Sequence, residues 1–449
     1  MRFKTTLILL AICAAAALFY FVVERPRHER EVERAAREGR FADVSPGDVY
    51  RVTITRPDVT ITAEREEDHW KLLSPVVDRA DDAAVNTLLE TACGARAEEE
   101  FDADESPLSE FGLDAPSAVV RLTAKNGEDL LDLRIGEFSL TKSHCYATAR
   151  GGGRVFLLPA GVRRYALRPL FDYRYKRIFD VPVADVFRLE IATKTRSMVW
   201  ATDKTGEWFT VQSGDTIHGD TTSLENVVRK LRGLRANDMP FGVPDATDAY
   251  FGTRARAISV RFKPDSAEIT LAFSDPRGPG CYVESSGSNR VALVDTTILD
   301  VFAKTITDLR DRRLLRHDLD AVVRMTLETP RLTITLVRTG AKWTFANPEF
   351  GDADEEAVRR LVLRIEDVKF DAVLDENLPE KNGHGFEKPV LRLTLFGPGD
   401  RAIDELAVGE PAPDGISRYV WSRSTGVLAI IDSASVSELE EDFGDPGAP

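Results

Sequence analysis

The chain has 449 residues, with 74 Asp and Glu against 59 Lys and Arg, for a formal net charge of −15. Phosphate-backbone binding needs a basic face, so this balance excludes nucleic acid as the expected partner. Four cysteines in a chain of this length do not make a disulfide framework.

The first element is an apolar run from Thr5 to Val23, free of charged residues. As a helix it spans roughly 29 Å, about the thickness of a bilayer core, so residues 1–23 are expected to be a transmembrane anchor. A cleavable signal would turn polar after Ala14-Ala15-Ala16, whereas here Leu18 to Val23 stay apolar. Ile12 stands before Cys13 where a lipoprotein needs a small residue. Arg2 and Lys4 favour a cytoplasmic N-terminus, and the arginines from Arg25 to Arg40 favour a cytoplasmic body. Charge alone leaves the orientation open. Residues 24–44 read as a charged helical stalk, with Glu33 and Arg37 as an i,i+4 pair.

From residue 45 the chain repeats itself three times, with a period of about 136 residues. Opening strands run Asp48–Thr55, Asp185–Ala192 and Ala321–Glu328. Trp70, Trp208 and Trp343 follow. Strands expected to end in turns carry Gly136-Glu137, Ser274-Asp275 and Gly409-Glu410. Tyr146, Tyr282 and Tyr419 each precede by 13 residues the Pro159, Asp295 or Asp432 that opens a helical stretch. Arg174-Tyr-Lys-Arg177 and Arg310-Asp-Arg-Arg313 stand at matching junctions. The period exceeds that of a solenoid repeat and suits a small domain. Three similar domains are therefore expected at 45–180, 181–316 and 317–443, with a disordered tail at 444–449.

Within a unit, period-two patterning at Val52 and Ile54, Val59 and Ile61, and Trp70 and Leu72 marks half-buried strands. Pro57-Asp58 supplies a hairpin turn, and Lys125-Asn-Gly-Glu128 another. Between them lies a helix with Val85, Leu88 and Leu89 on its apolar face, matched in the third unit by Val358, Leu361, Val362 and Ile365. Thr222 with Glu225 and Asp352 with Glu355 read as capping boxes. Runs of strands with helices set between them predict an α+β fold of mostly antiparallel sheet.

Trp70-Lys-Leu-Leu-Ser-Pro75, followed by Ala80-Asp81 and Leu88-Leu89, resembles a bacterial family catalogued as a domain of unknown function, numbered 4340. The third unit keeps the motif as Trp343-Thr-Phe-Ala-Asn-Pro348; the second keeps Trp208 but has Ser213 in place of the proline. The resemblance implies a short membrane span followed by repeated units, and an envelope location with the body on the periplasmic side of the inner membrane. It also implies association with ABC-type export and gliding-motility-like transport components.

Motifs that carry chemistry are scarce. No two of His28, His69, His144, His218, His317 and His384 stand at zinc-ligand spacing. Gly151-Gly-Gly153 leads into a strand, not the helix of a phosphate loop. Asp102, Asp104 and Ser106 open like a calcium loop, but Pro107 and Leu108 follow and Leu113 stands where the closing glutamate belongs. Cys93, Cys145 and Cys281 read as buried thiols. The tryptophans read as core residues, since the core is what repeats must share. No catalytic, cofactor or metal residue is nominated. The expected function is therefore a non-enzymatic envelope scaffold or auxiliary subunit. Its partners are a membrane protein, such as an ABC transporter permease, and the bilayer itself through residues 5–23. The alternative is a membrane-tethered hydrolase or polysaccharide-binding protein, with acids converging in an inter-domain cleft.

Overall fold

Alternating apolar residues in three opening strands set one register three times over. In the computed structural model, Val52 and Ile54 face Ala63 and Ile61 on one side and Leu122 and Val120 on the other. Leu189 and Ile191 face Trp200 and Met198, then Val260 and Ile258. Met325 and Leu327 face Leu336 and Ile334, then Leu395 and Leu393. The structure describes residues 41–444 apart from 103–107, 150–152, 213, 241–255, 262–267, 287–289, 317–320, 341, 348–350, 353–354 and 376–382. The expected membrane span, most of the stalk and the tail from residue 445 lie outside the described residues. No helix among the described residues is long and apolar enough to cross a membrane.

Unit 1 comprises β1 (Arg51–Thr55), β2 (Thr60–Glu66), β3 (His69–Ser74), β4 (Asp78–Arg79), α1 (Asp82–Cys93), β5 (Glu99–Asp102), β6 (Ala118–Thr123), β7 (Asp129–Phe138), β8 (His144–Ala149), β9 (Arg154–Pro159), α2 (Gly161–Ala166) and α3 (Leu170–Tyr173). They form one antiparallel sheet in the order β4-β3-β2-β1-β6-β7-β8-β9-β5. Unit 2 repeats the pattern as β10 (Arg188–Thr193), β11 (Ser197–Thr202), β12 (Trp208–Gln212), β13 (Asp215–His218), α4 (Thr221–Gly233), β14 (Arg256–Arg261), β15 (Ile269–Phe273), β16 (Gly280–Ser285), β17 (Arg290–Asp295) and α5 (Ile306–Leu309). Unit 3 holds β18 (Arg324–Glu328), β19 (Thr333–Thr339), β20 (Lys342–Asn347), β21 (Gly351–Asp352), α6 (Glu355–Asp367), β22 (Ala372–Asp375), β23 (Leu391–Gly397), β24 (Arg401–Pro411), β25 (Ser417–Ser422), β26 (Leu428–Asp432) and α7 (Ser433–Gly444). Its sheet order matches that of unit 1 strand for strand. The chain is thus α+β, with three similar, mostly antiparallel domains.

Each unit buries one sheet face beneath its helices. In unit 1, α1 sets Val85, Leu88 and Leu89 into a core with Val52, Ile54, Ile61, Val120 and Leu133. Asp81 caps α1 by accepting from the Ala84 amide. Asp220 caps α4 in the same way, from Ser223. The capping box expected at Thr222 and Glu225 is therefore displaced: the N-cap is Asp220, two residues earlier, and the helix begins at Thr221. The Asp352 and Glu355 side chains lie outside the described residues.

Trp70 and Trp208 are 2% and 4% exposed. The Trp70 indole donates to Asn86 on α1 at 3.0 Å, and Arg65 lies over its ring at 5.0 Å. Arg338 takes the same station over Trp343 at 6.0 Å, but this third tryptophan is only partly buried against its core. Trp70→Ala is expected to cost about 3–5 kcal/mol in urea unfolding, and Trp343→Ala clearly less. Equal costs at both positions would contradict this packing.

Candidate functional site

The densest polar chemistry among the described residues lies where one unit hands over to the next. The sequence explains why: the tetrapeptides beginning at Arg174 and Arg310 are short extended linkers that must satisfy their backbone groups. Each does so by joining two sheets. The first half extends the edge of the preceding unit: Asp81 N donates to Tyr173 O at 2.9 Å and Tyr175 N to Arg79 O at 3.0 Å. The second half joins the following unit, through Ala236 N to Lys176 O at 2.8 Å and Ile178 N to Leu234 O at 3.3 Å. The second junction repeats all four bonds, as Asp220 to Leu309, Asp311 to His218, Phe370 to Arg312 and Leu314 to Val368.

Side chains then make the two junctions different. At the first, Asp78 on β4 is buried and accepts from Arg174 Nε at 2.8 Å. Its other oxygen lies 2.5 Å from the guanidinium of Arg290, which unit 2 supplies from β17. Arg174 also donates to the Met239 carbonyl at 2.8 Å. Burial lowers the pKa of Arg290, with Asp78 opposing that shift. Beside this triad Arg79 stacks on Tyr175 at 4.1 Å. The Tyr175 hydroxyl donates to Asp180 at 2.5 Å, and Arg177 donates to the same carboxylate at 3.0 Å.

At the second junction Arg310 lies over Phe370 at 5.1 Å. Asp311 is buried and ion-paired to Arg313 at 2.8 Å and Arg316 at 3.3 Å. Burial alone would raise the Asp311 carboxyl, but hydrogen bonds from Arg313 and the nearby guanidinium charges outweigh it and hold the pKa below the usual value. The positions matching Asp78 and Arg290 are Ile217 and Val427, both buried and apolar.

Clefts among the described residues flank these junctions. One of about 730 Å³ lies between units 2 and 3, lined among others by Arg196, Asp215, Thr305, Arg310 and Val373. A second, of about 480 Å³, is lined by residues including Asp220, Asp308, Arg312 and Lys369. A third, of about 380 Å³, is lined by Arg177, Val183, Arg229, Arg232, Gly233 and Arg235 at the end of α4.

Of the residues weighed from the sequence, His218 lies at the second junction, where its carbonyl accepts from the Asp311 amide; the other described histidines do not gather at these places. His69 lies 3.6 Å from Glu66, His144 2.8 Å from Glu98 and His218 3.9 Å from Glu207. Burial lowers the His218 pKa, and Arg316 lowers it further. His384 stacks on Tyr419 at 4.4 Å. His28 and His317 lie outside the described residues. Asp102 ends β5, 3.8 Å from Arg154; Asp104 and Ser106 lie outside the described residues. Cys93, Cys145 and Cys281 are buried thiols, and burial pushes Cys145 and Cys281 up to about 11. Among the described residues, no three His, Cys, Asp or Glu side chains are gathered to hold a metal ion. Sequence reading flagged the junction arginines by their recurrence. It missed Asp78, Arg229 and Arg232, which recur in no other unit and so leave no periodic signal; it also missed Arg290 and Arg235, which unit 1 matches with Arg154 and Arg96.

Glycines expected at turns serve a different purpose. Gly136 and Gly409 lie inside β7 and β24. A Cβ on either would stand 2.1 Å from the Phe111 carbonyl oxygen or 2.0 Å from that of His384. A crossing loop passes over each strand at that point, and glycine is what lets it approach.

Comparison with known proteins bears on this architecture. No curated protein matches the chain. Among solved structures, the DnaN sliding clamp (DNA polymerase III subunit beta) of Pseudomonas aeruginosa, bound to griselimycin, aligns at 8% identity over 86% of this chain and 92% of that one. Its TM-score of 0.15 is too low to support any argument about fold or function. The family model described as "Domain of unknown function (DUF4340)" matches at residues 70–251, 241–383 and 343–445, so each unit contributes to the match. Over most of its length, and in all three repeats, the chain belongs to the DUF4340 family.

Proposed function

We propose that this protein is a binding subunit of the bacterial envelope: a non-enzymatic scaffold, tethered to the inner membrane by residues 5–23, that serves an ABC-type transport system from the periplasmic side. The observation that carries this reading is the junction design. Each linker is hydrogen-bonded into the sheets on both sides of it, and the first is further fastened by the buried Arg174–Asp78–Arg290 triad. Polar groups invested in holding units to one another suit a protein that presents fixed surfaces to a partner. Hydrolysis of a polysaccharide calls for two facing carboxylates. Among the described residues, Asp215 is the one acid lining the 730 Å³ cleft; the 480 Å³ cleft has Asp220, Asp308 and Asp371, of which the first two cap helices. The partner in this reading is a transporter permease, met near the charged stalk.

Deletion of residues 24–40 tests the docking; Phe41, Ala42 and Val44 stay, because they pack into the unit 1 core. The shortened protein is expected to keep the thermal unfolding of the full chain and to lose the membrane partner that co-purifies with the full chain in mild detergent. Recovery of the same partner would sink stalk docking. A purified body that turns over an envelope polymer would sink the non-enzymatic reading.

A further inference from the structure

The two junctions share a backbone plan but not a charge plan. Arg177 and Arg235 face each other across an antiparallel bridge, as Arg313 and Lys369 do at the second junction. Like charges directly opposite on paired strands repel. The second junction supplies its own counter-charge, because Asp311 is buried between Arg313 and Arg316. The first junction has Tyr175 at the position matching Asp311. It then adds further cations: Arg229 and Arg232 lie three residues apart on α4, Arg235 follows in the extended segment after the helix, and all three line the same cleft as Arg177. The helices α4 and α6 are of equal length, and in α6 and beyond it the matching residues are Leu363, Glu366 and Lys369. The fold therefore does not require arginine at 229 and 232, whereas position 235 is cationic in all three units, as Arg96, Arg235 and Lys369.

Two of the four arginines are partly neutralised, Arg177 by Asp180 at 3.0 Å and Arg229 by Glu225 at 2.5 Å. Among the described residues, no carboxylate forms an ion pair with Arg232 or Arg235. From this geometry we propose that the cleft is a binding site for a small soluble phosphate ester or inorganic phosphate, whose charge answers Arg232 and Arg235 as Asp180 answers Arg177. Guanidinium forks match phosphate oxygens in pairs. A phosphate group packs about two charges and three acceptors into a volume that a cleft of this size accommodates. The net charge of −15 repels extended anionic surfaces at longer range, so the ligand is a compact anion and not a membrane or a nucleic acid. This inference stands independently of the transport reading.

Titration calorimetry on the full-length protein tests it, with inorganic phosphate and pyrophosphate as probes and acetate as the monoanionic control. Both phosphates are expected to bind, pyrophosphate more tightly, and to weaken as salt rises. Arg232→Glu and Arg229→Leu install the residues that unit 3 carries, and each is expected to weaken binding by about ten- to a hundredfold while leaving ligand-free unfolding unchanged. Arg235→Gln serves as a second probe should either variant unfold. No heat and no thermal shift with millimolar phosphate or pyrophosphate would overturn the proposal. So would undiminished binding in these variants, or binding to phosphatidylglycerol vesicles without binding to soluble phosphate. Lost stability with unchanged affinity would also overturn it, and would assign the arginines to the helix C-terminus alone.

Discussion

Asp78→Ala is expected to destabilise the protein by about 3–5 kcal/mol, because it leaves the buried Arg174 and the part-buried Arg290 without their counter-charge. Arg174 would keep its bond to the Met239 carbonyl, while Arg290 would lose its ion pair. The triad joins unit 1, the linker and unit 2, so the loss is expected in cooperativity as well as in stability. Units 1 and 2, which should melt together in the native chain, are expected to separate into two calorimetric transitions. The second junction supplies the control. It has Ile217 and Val427 where the first has Asp78 and Arg290, and both are buried. The double variant Asp78→Ile/Arg290→Val is expected to recover only part of the loss, since Arg174 stays buried with the Met239 carbonyl as partner and Ala236 stands where Arg310 finds Phe370. A cost below about 1 kcal/mol for Asp78→Ala, with a single transition retained, would mean that the hydrogen-bonded linkers fasten the units without help from the triad.

The repeat was legible in the sequence because core positions recur. Val52 and Ile54, Leu189 and Ile191, and Met325 and Leu327 occupy one register, and period two is what a half-buried strand imposes on any sequence. The hairpin at Lys125–Glu128 was legible for a local reason: Gly127 takes φ +88° and Asn126 accepts from the Glu128 amide. Other features depend on distant partners. Asp78 sits in a two-residue strand too short to show a period, and its partners are 96 and 212 positions away. The cap of α4 was misplaced because Thr222 and Glu225 match the capping-box spacing, while Asp220 lacks an acid three residues later and needs none. Trp343 keeps the sequence position of Trp70 without its depth. A shared landmark fixes where a side chain starts, but the neighbouring side chains decide how far water is excluded.

Gly136→Ala and Gly409→Ala are expected to be among the most damaging single-methyl changes in the chain. A glycine inside a strand usually weakens it, so two of them at matching places call for a physical reason. That reason is the crossing loop. In unit 1 it is fixed by Gly112 at φ +66°, and in unit 3 by Gly385 at φ +82°. The obstacles are backbone oxygens, so no rotamer change relieves the clash. Either the loop lifts or the strand bends. Lifting would expose the apolar Leu113 or Phe386, both buried. Bending would disturb the bond from Arg163 Nε to the Gly136 carbonyl, 2.7 Å long. Ordinary overpacking costs about 1–3 kcal/mol, and a clash with immovable backbone belongs at or above the top of that range. In unit 2 Ser274 takes the position, β15 stops at Phe273, and the serine hydroxyl donates to the Asp275 carbonyl and accepts from the Tyr282 amide. Ser274→Gly is accordingly expected to change stability by less than about 1 kcal/mol. Urea midpoints for the three variants, read with amide exchange in β7 and β24, decide the matter. If Gly136→Ala proved as mild as Ser274→Gly, the close crossing of loop and strand would not be a constraint on this fold.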